Sequence, residues 1–91
     1  MAPTIEEALN NGIDAHKAGQ IEEANKYYTA ILNSYPNHPD ANHNKGVLMA
    51  SSGKMQEALH LFKNALEANS GVVQFWKSYI ETLIKLNRNE E

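Results

Sequence analysis

Four histidines are the first side chains in this 91-residue sequence whose type could do chemistry: His16, His38, His43 and His60. Imidazole serves as a general base or a metal ligand near neutral pH. His38 and His43 flank Asp40, which draws a candidate cation site. The spacing works against it, because residues five apart do not share a helical face as i and i+4 do. The sequence holds no cysteine, so thiol nucleophiles, disulfides and Cys-bearing zinc or iron–sulfur sites are excluded. No Gly-rich phosphate loop and no nucleophile elbow is present. The acid pairs Glu22-Glu23 and Glu90-Glu91 are expected to be solvated first-turn residues that favour helix N-termini. The Tyr27-Tyr28 pair follows an apolar stripe and is expected in the core. These residues predict no catalytic activity, no cofactor and no bound metal.

Composition narrows the classes further. Hydrophobic residues make up 42% and charged residues 21% of the chain, and the net charge is −3. That balance is ordinary for a globular protein and wrong for a generic nucleic-acid binder, which is basic. Lys26, Lys63, Lys77, Lys85 and Arg88 are scattered among acids and form no footprint. No apolar run is long enough to span a membrane. The start, Met-Ala-Pro-Thr-Ile-Glu-Glu, lacks the basic and apolar regions of a secretory signal. A cytoplasmic location is the expectation.

The elements that must position these side chains are helices. Sliding the chain by 34 residues brings Asn10 onto Asn44, Gly12 onto Gly46, Gly19 onto Gly53, Glu23 onto Glu57, Ala24 onto Ala58, Tyr28 onto Phe62 and Leu32 onto Leu66. The spacing divides the chain into a lead (1–4), two full units (5–38 and 39–72) and a half unit (73–91). Thr4 with Glu7 makes a capping box before Ile5, Ala8, Leu9, Gly12 and Ile13, which recur at helical spacing. Gly19 and Gly53 stand where a left-handed cap is wanted. Pro36 stops a second helix and Pro39 suits the first turn of a third. A fourth helix is predicted from about Lys54 to Asn69 and a fifth from about Val72 to Asn87. The result is an all-α chain of five helices. Gly12 and Gly46, inside helices at a cost of about 1 kcal/mol each relative to alanine, are predicted to be packing glycines.

The pattern resembles the tetratricopeptide repeat. Unit one carries Gly12, Ala15, Ala24, Tyr28, Ile31 and Pro36 at the places that define the family. Unit two carries Gly46, Met49, Ala58, Phe62, Ala65 and Ser70, and the half unit supplies Trp76, Tyr79, Ile80 and Leu83. Ile31, Ser70 and Ile80 depart from the family's small residue, proline and glycine. The resemblance implies a right-handed α-solenoid of stacked antiparallel hairpins whose first helices line a concave groove for a peptide or protein. Carried over residue by residue, the implied groove candidates are Leu9, Asn10, Ile13, His16 and Lys17 in unit one. They are His43, Asn44, Val47 and Ser51 in unit two, and Lys77, Ser78 and Glu81 in the half unit. Asn10 and Asn44 can both donate to and accept from a peptide backbone.

The resemblance also permits a negative. Co-chaperone members hold a C-terminal carboxylate with lysine, arginine and asparagine, and here those places hold Leu9, Ile13, Asn44, Gln74 and Ser78. Only Asn44 matches, so the charge-assisted clamp is missing. The expected role is a protein-interaction or scaffold module. The alternative is an N-terminal accessory or oligomerisation segment of a larger bacterial enzyme, such as a glycosyltransferase-like or sulfotransferase-like protein. The chain ends one residue before the alanine that would continue a third unit, which favours a fragment.

The fifth helix carries apolar residues around most of its circumference, more than a one-sided surface helix needs. Trp76, Tyr79, Ile80 and Leu83 are expected to pack on the second hairpin. The remainder, including Phe75 and Leu86, is expected to be the face that the partner helix of a full third unit would cover, and Phe75, Tyr79, Leu83, Ile84 and Leu86 are the candidates for self-association as a homodimer.

Overall fold

The computed structural model describes residues 3–89, so the pair Glu90-Glu91 lies outside the described residues. Five helices follow one another: α1 (Ile5–Lys17), α2 (Ile21–Ser34), α3 (Pro39–Ser51), α4 (Met55–Ala68) and α5 (Val73–Asn89). The start of α1 is fixed by a capping box. Glu7 donates its backbone N–H to Thr4 Oγ1 at 3.1 Å, and Thr4 donates its own to Glu7 Oε1 at 3.0 Å. At α3 the cap is a histidine: Ala41 N–H donates to His38 Nδ1 at 3.0 Å, with Pro39 filling the first helical position. Gly19 (φ +77°) and Gly53 (φ +81°) end the first helix of each hairpin in the left-handed region. Open space surrounds both, so backbone conformation alone explains glycine there.

Each hairpin closes on an aromatic ring laid against a glycine. A Cβ on Gly12 would fall 2.5 Å from Tyr28 Cε1, and one on Gly46 would fall 2.5 Å from Phe62 Cε1. No side chain fits at either position without moving a buried ring. Tyr28 and Phe62 belong to one core with Ala15, Ala24, Leu48, Met49 and Ala58. A second cluster joins Ala8, Ile31 and Ala41, and a third joins Ala65, Leu66 and Phe75. The clusters run from one hairpin to the next, which is how a solenoid buries apolar faces that a lone hairpin cannot.

The helices form two unequal layers. Helix α1 touches α3, and α3 touches α5, whereas among the described residues α2 and α4 do not touch. The first helices are therefore the tighter inner row and the second helices splay outside them, which gives the helical-repeat solenoid its concave side. The molecule is elongated, at 49 × 28 × 19 Å.

Helix α5 is turned from the expected orientation: Tyr79 packs on the core as expected, but Trp76 and Ile80 do not. Phe75 is 3% exposed and sits with Ala65 and Leu66, while Trp76 (46%) and Ile80 (49%) stand outside. Two features of its neighbours decide this. His43 on α3 stacks on Phe75, centroids 4.9 Å apart, and bonds to Ser78 on the same face. The indole N–H of Trp76 donates to Ser70 O at 2.8 Å, which holds the ring at the edge. Ser78 and Thr82 are buried with Phe75, and the Thr82 hydroxyl is satisfied by donating to Ser78 O at 2.8 Å. Tyr79, Leu83 and Leu86 are half-buried. Phe75 is thus removed from the self-association candidates, whereas Ile84, at 45% exposure, remains accessible.

Candidate functional site

The inner row of α1, α3 and α5 carries the candidate groove. Asn10, Lys17, Ser51, Lys77 and Glu81 are exposed, and Leu9, Ile13, His16, Asn44 and Val47 are half-buried. Leu9 and Val47 divide their surface between the groove and the core. Ser51 spends its hydroxyl on Leu48 O at 2.8 Å, within its own helix. The accessible amides are Asn10 and Asn44, one repeat apart on adjacent helices.

Between α3 and α5 the row opens into a cleft of about 240 Å³. Val47 and Ala50 form one wall, Gln74, Glu81 and Lys85 the other, and Phe62 and Thr82 lie at its base. That volume is below the roughly 300–1,000 Å³ of ligand and cofactor pockets and suits a single side chain of a longer ligand. A wider depression of about 890 Å³ lies elsewhere, between the last turn of α1 and the first of α2. It is lined by Asp14, Glu22 and Glu23 with Tyr27, and it belongs to the opposite face of α1.

Two groove candidates turn to each other. His43 Nε2 lies 2.8 Å from Ser78 Oγ, and Gln74 Nε2 donates to the same oxygen at 3.5 Å. A histidine nitrogen within reach of a serine hydroxyl is the geometry of an activated nucleophile. Here each residue is 8% exposed, and the imidazole lies between Phe62, at 5.3 Å, and Phe75, at 4.9 Å. The pair is thus a largely buried polar clasp between α3 and α5, with Ser78 at the edge of the cleft. Burial pushes the His43 pKa down, while a hydrogen bond donated by the ring to the Asn44 side chain and the charge of Asp40 pull it up.

Sequence reasoning missed this pair because its members are 35 residues apart. The repeat carried the signal: His43 and Ser78 occupy adjacent unit positions in consecutive units, where Leu9 and Asn44 stand one repeat earlier. It also missed Asn42, which is 1% exposed and donates through Nδ2 to Pro36 O at 3.0 Å and His38 O at 2.9 Å. Asn42 pins the turn between the two full units. Among the described residues no group of three or more His, Asp or Glu side chains is placed to hold a metal ion. Likewise, no described helix is long and apolar enough to cross a membrane.

Comparison with known proteins follows the same lines. Residues 9–72 match the sequence profile of the tetratricopeptide repeat. The chain is 29% identical over 76 residues to an N-terminal acetyltransferase A complex subunit-like protein of Schizosaccharomyces pombe. The aligned segment is 84% of this chain and 11% of that protein, so the chain spans about a ninth of the length of its relative.

Proposed function

The chain belongs to the tetratricopeptide repeat family, and from that premise we propose that it is a scaffold module holding a segment of another protein along its inner row. Repeats of this family mediate protein–protein contact. The observation that carries the finer reading is the pair Asn10 and Asn44, equivalent amides on two touching inner helices, both open to solvent at least in part. An extended peptide lying across α1, α3 and α5 meets one amide per repeat. Its apolar side chains meet Leu9, Ile13 and Val47. His16, Lys17, Ser51, Lys77 and Glu81 form a rim of mixed charge, so the ligand is not selected by a terminal carboxylate. His43 and Ser78 support the groove from beneath.

Peptides selected from a random library on the wild-type chain test the reading. Binders should shift the amide resonances of Asn10, Asn44 and Val47. They should lose affinity about tenfold or more for the double variant Asn10→Ala/Asn44→Ala, given two hydrogen bonds worth about 0.5–1.5 kcal/mol each. Selected peptides that bind the double variant equally well would refute it.

A second reading rests on the relative's name, a subunit-like protein of an acetyltransferase complex. Under it, this segment is one stretch of a subunit of such a complex. Reading-frame sequence continuing past Glu91 into further repeats supports that reading. A following catalytic domain supports instead the accessory segment of a larger enzyme.

A further inference from the structure

We propose that the cleft between α3 and α5 is where the groove reads its ligand, taking one aliphatic side chain of leucine or methionine size from the bound segment; this rests on the scaffold role proposed above. The inner row has two steps, α1 to α3 and α3 to α5, and the same unit positions build both. From the first step to the second, Val47 replaces Ile13 and Ala50 replaces His16 on one wall. On the other wall Ser78 replaces Asn44 and Thr82 replaces Leu48. All four exchanges shrink the side chain. At the first step Leu48 is fully buried in one cluster with Ala15, Ala24 and Tyr28, so the chain fills that seat itself. At the second, Thr82 turns its hydroxyl back to Ser78 O at 2.8 Å, and about 240 Å³ stands open beside Phe62.

The opening belongs to this face of the repeat. Gln74, Glu81 and Lys85 are exposed, and so are or half-exposed are their unit-two equivalents Asp40, Val47 and Ser51, with α4 in place. The second helix of a unit therefore leaves this wall uncovered. From beneath, the cleft is held by His43, whose Nε2 meets Ser78 Oγ at 2.8 Å and whose ring lies against Phe62 and Phe75. An opening fixed in advance loses little freedom when it is filled.

The lining selects the occupant. Val47, Ala50, Met55 and Phe62 offer hydrocarbon. The charged groups are Glu81 and Lys85, one of each sign and one helical turn apart. An acidic or a basic ligand end meets one like and one unlike charge there, so neither is favoured. The Ser78 hydroxyl is engaged by His43 and Gln74, and that of Thr82 by Ser78 O. A charged or amide end pushed into this cleft would lose water without gaining a new partner, whereas a branched or thioether hydrocarbon loses none. Leu48 shows the fit that this architecture gives an aliphatic side chain one step earlier.

The N-acetyl amides of leucine, lysine and glutamate probe the cleft directly, followed by amide and methyl resonances up to about 50 mM. The leucine amide should shift Val47, Ala50 and Thr82 with a dissociation constant of about 5–50 mM, and the other two should bind roughly fivefold more weakly or less well still. Thr82→Leu and Ala50→His each restore the first step's residue, from opposite walls. Each should weaken the leucine amide roughly fivefold or more, with helicity unchanged. In peptides selected on the wild-type chain, one aliphatic position should lose about tenfold on replacement by alanine, and about twofold or less when the chain carries Thr82→Leu. Leucine amide shifts centred elsewhere, an equal response to all three amides, or undiminished binding to both variants would overturn the proposal. Peptides that respond to Asn10→Ala/Asn44→Ala but to neither cleft variant overturn it too, and leave the scaffold role standing. Peptides indifferent to the asparagines, beside a leucine amide seated in the cleft and lost in both variants, support the cleft and remove the asparagine groove.

Discussion

His43 and Ser78 stand 35 residues apart in sequence and 2.8 Å apart in space, and their bond ties the last helix to the second hairpin. The other attachments of α5 are apolar: Phe75 packs with Ala65 and Leu66, and Tyr79 packs against both that cluster and the central core.

The pH dependence of folding should report this contact. Burial holds the His43 pKa below the ordinary 6.5, so the unfolded chain takes up this proton at a higher pH than the folded one. The stability it contributes is therefore full above 6.5 and is lost as pH falls from there through the depressed native value. Urea midpoints at about pH 7.5 and about pH 5.5 should differ, with the acid sample weaker. His43→Leu should flatten that difference. Equal slopes in both proteins would place the titrating group elsewhere.

Gly46 and Phe62 should behave as one unit. Alanine at 46 gains about 1 kcal/mol of helix propensity but drives its Cβ to 2.5 Å from the ring. Gly46→Leu should cost about 1–3 kcal/mol by overpacking. Gly46→Ala should be better tolerated beside Phe62→Leu than alone, with a coupling of about 0.5 kcal/mol or more in a double-mutant cycle.

Asn42→Ala should cost about 1–3 kcal/mol, because it strips partners from the Pro36 and His38 carbonyls and empties a buried site. Asn44→Ala, two residues on and half-exposed, should fall within about 0.5 kcal/mol of wild type. Denaturant melts of the two variants compare a buried amide with a partly exposed one.

Thr4→Ala should cost about 1 kcal/mol through loss of the N-cap. It should also let the Glu7 carboxyl, now held below 4.5 by its bonds to the Thr4 backbone and side chain, climb back toward that value. The stability linked to Glu7 is present above 4.5 and lost as pH falls through the lowered native pKa. A side-chain carbon titration by NMR follows the carboxyl directly.

Much of the fold was legible in the sequence because it is local. Caps, left-handed glycines and prolines fix helix ends within a few residues of themselves, and Thr4, Gly19, Gly53 and Pro39 stand where they were expected. The 34-residue period also made Gly12 and Gly46 readable as packing glycines, since a helical glycine opposite an aromatic one helix later has a steric explanation.

The orientation of α5 and the fate of His43 were settled only in three dimensions. A helix apolar around most of its girth offers two faces of similar hydrophobicity, so pattern alone does not say which turns inward. The face that does carries Ser78 and Thr82, less apolar than the one carrying Trp76, Ile80 and Ile84. It wins because its hydroxyls find partners and Phe75 fits against Ala65, Leu66 and His43. Sequence determines what a helix can bury; which of its faces is buried depends on the shape and unpaired polar atoms of the neighbours it meets, and those come together only when the hairpins stack.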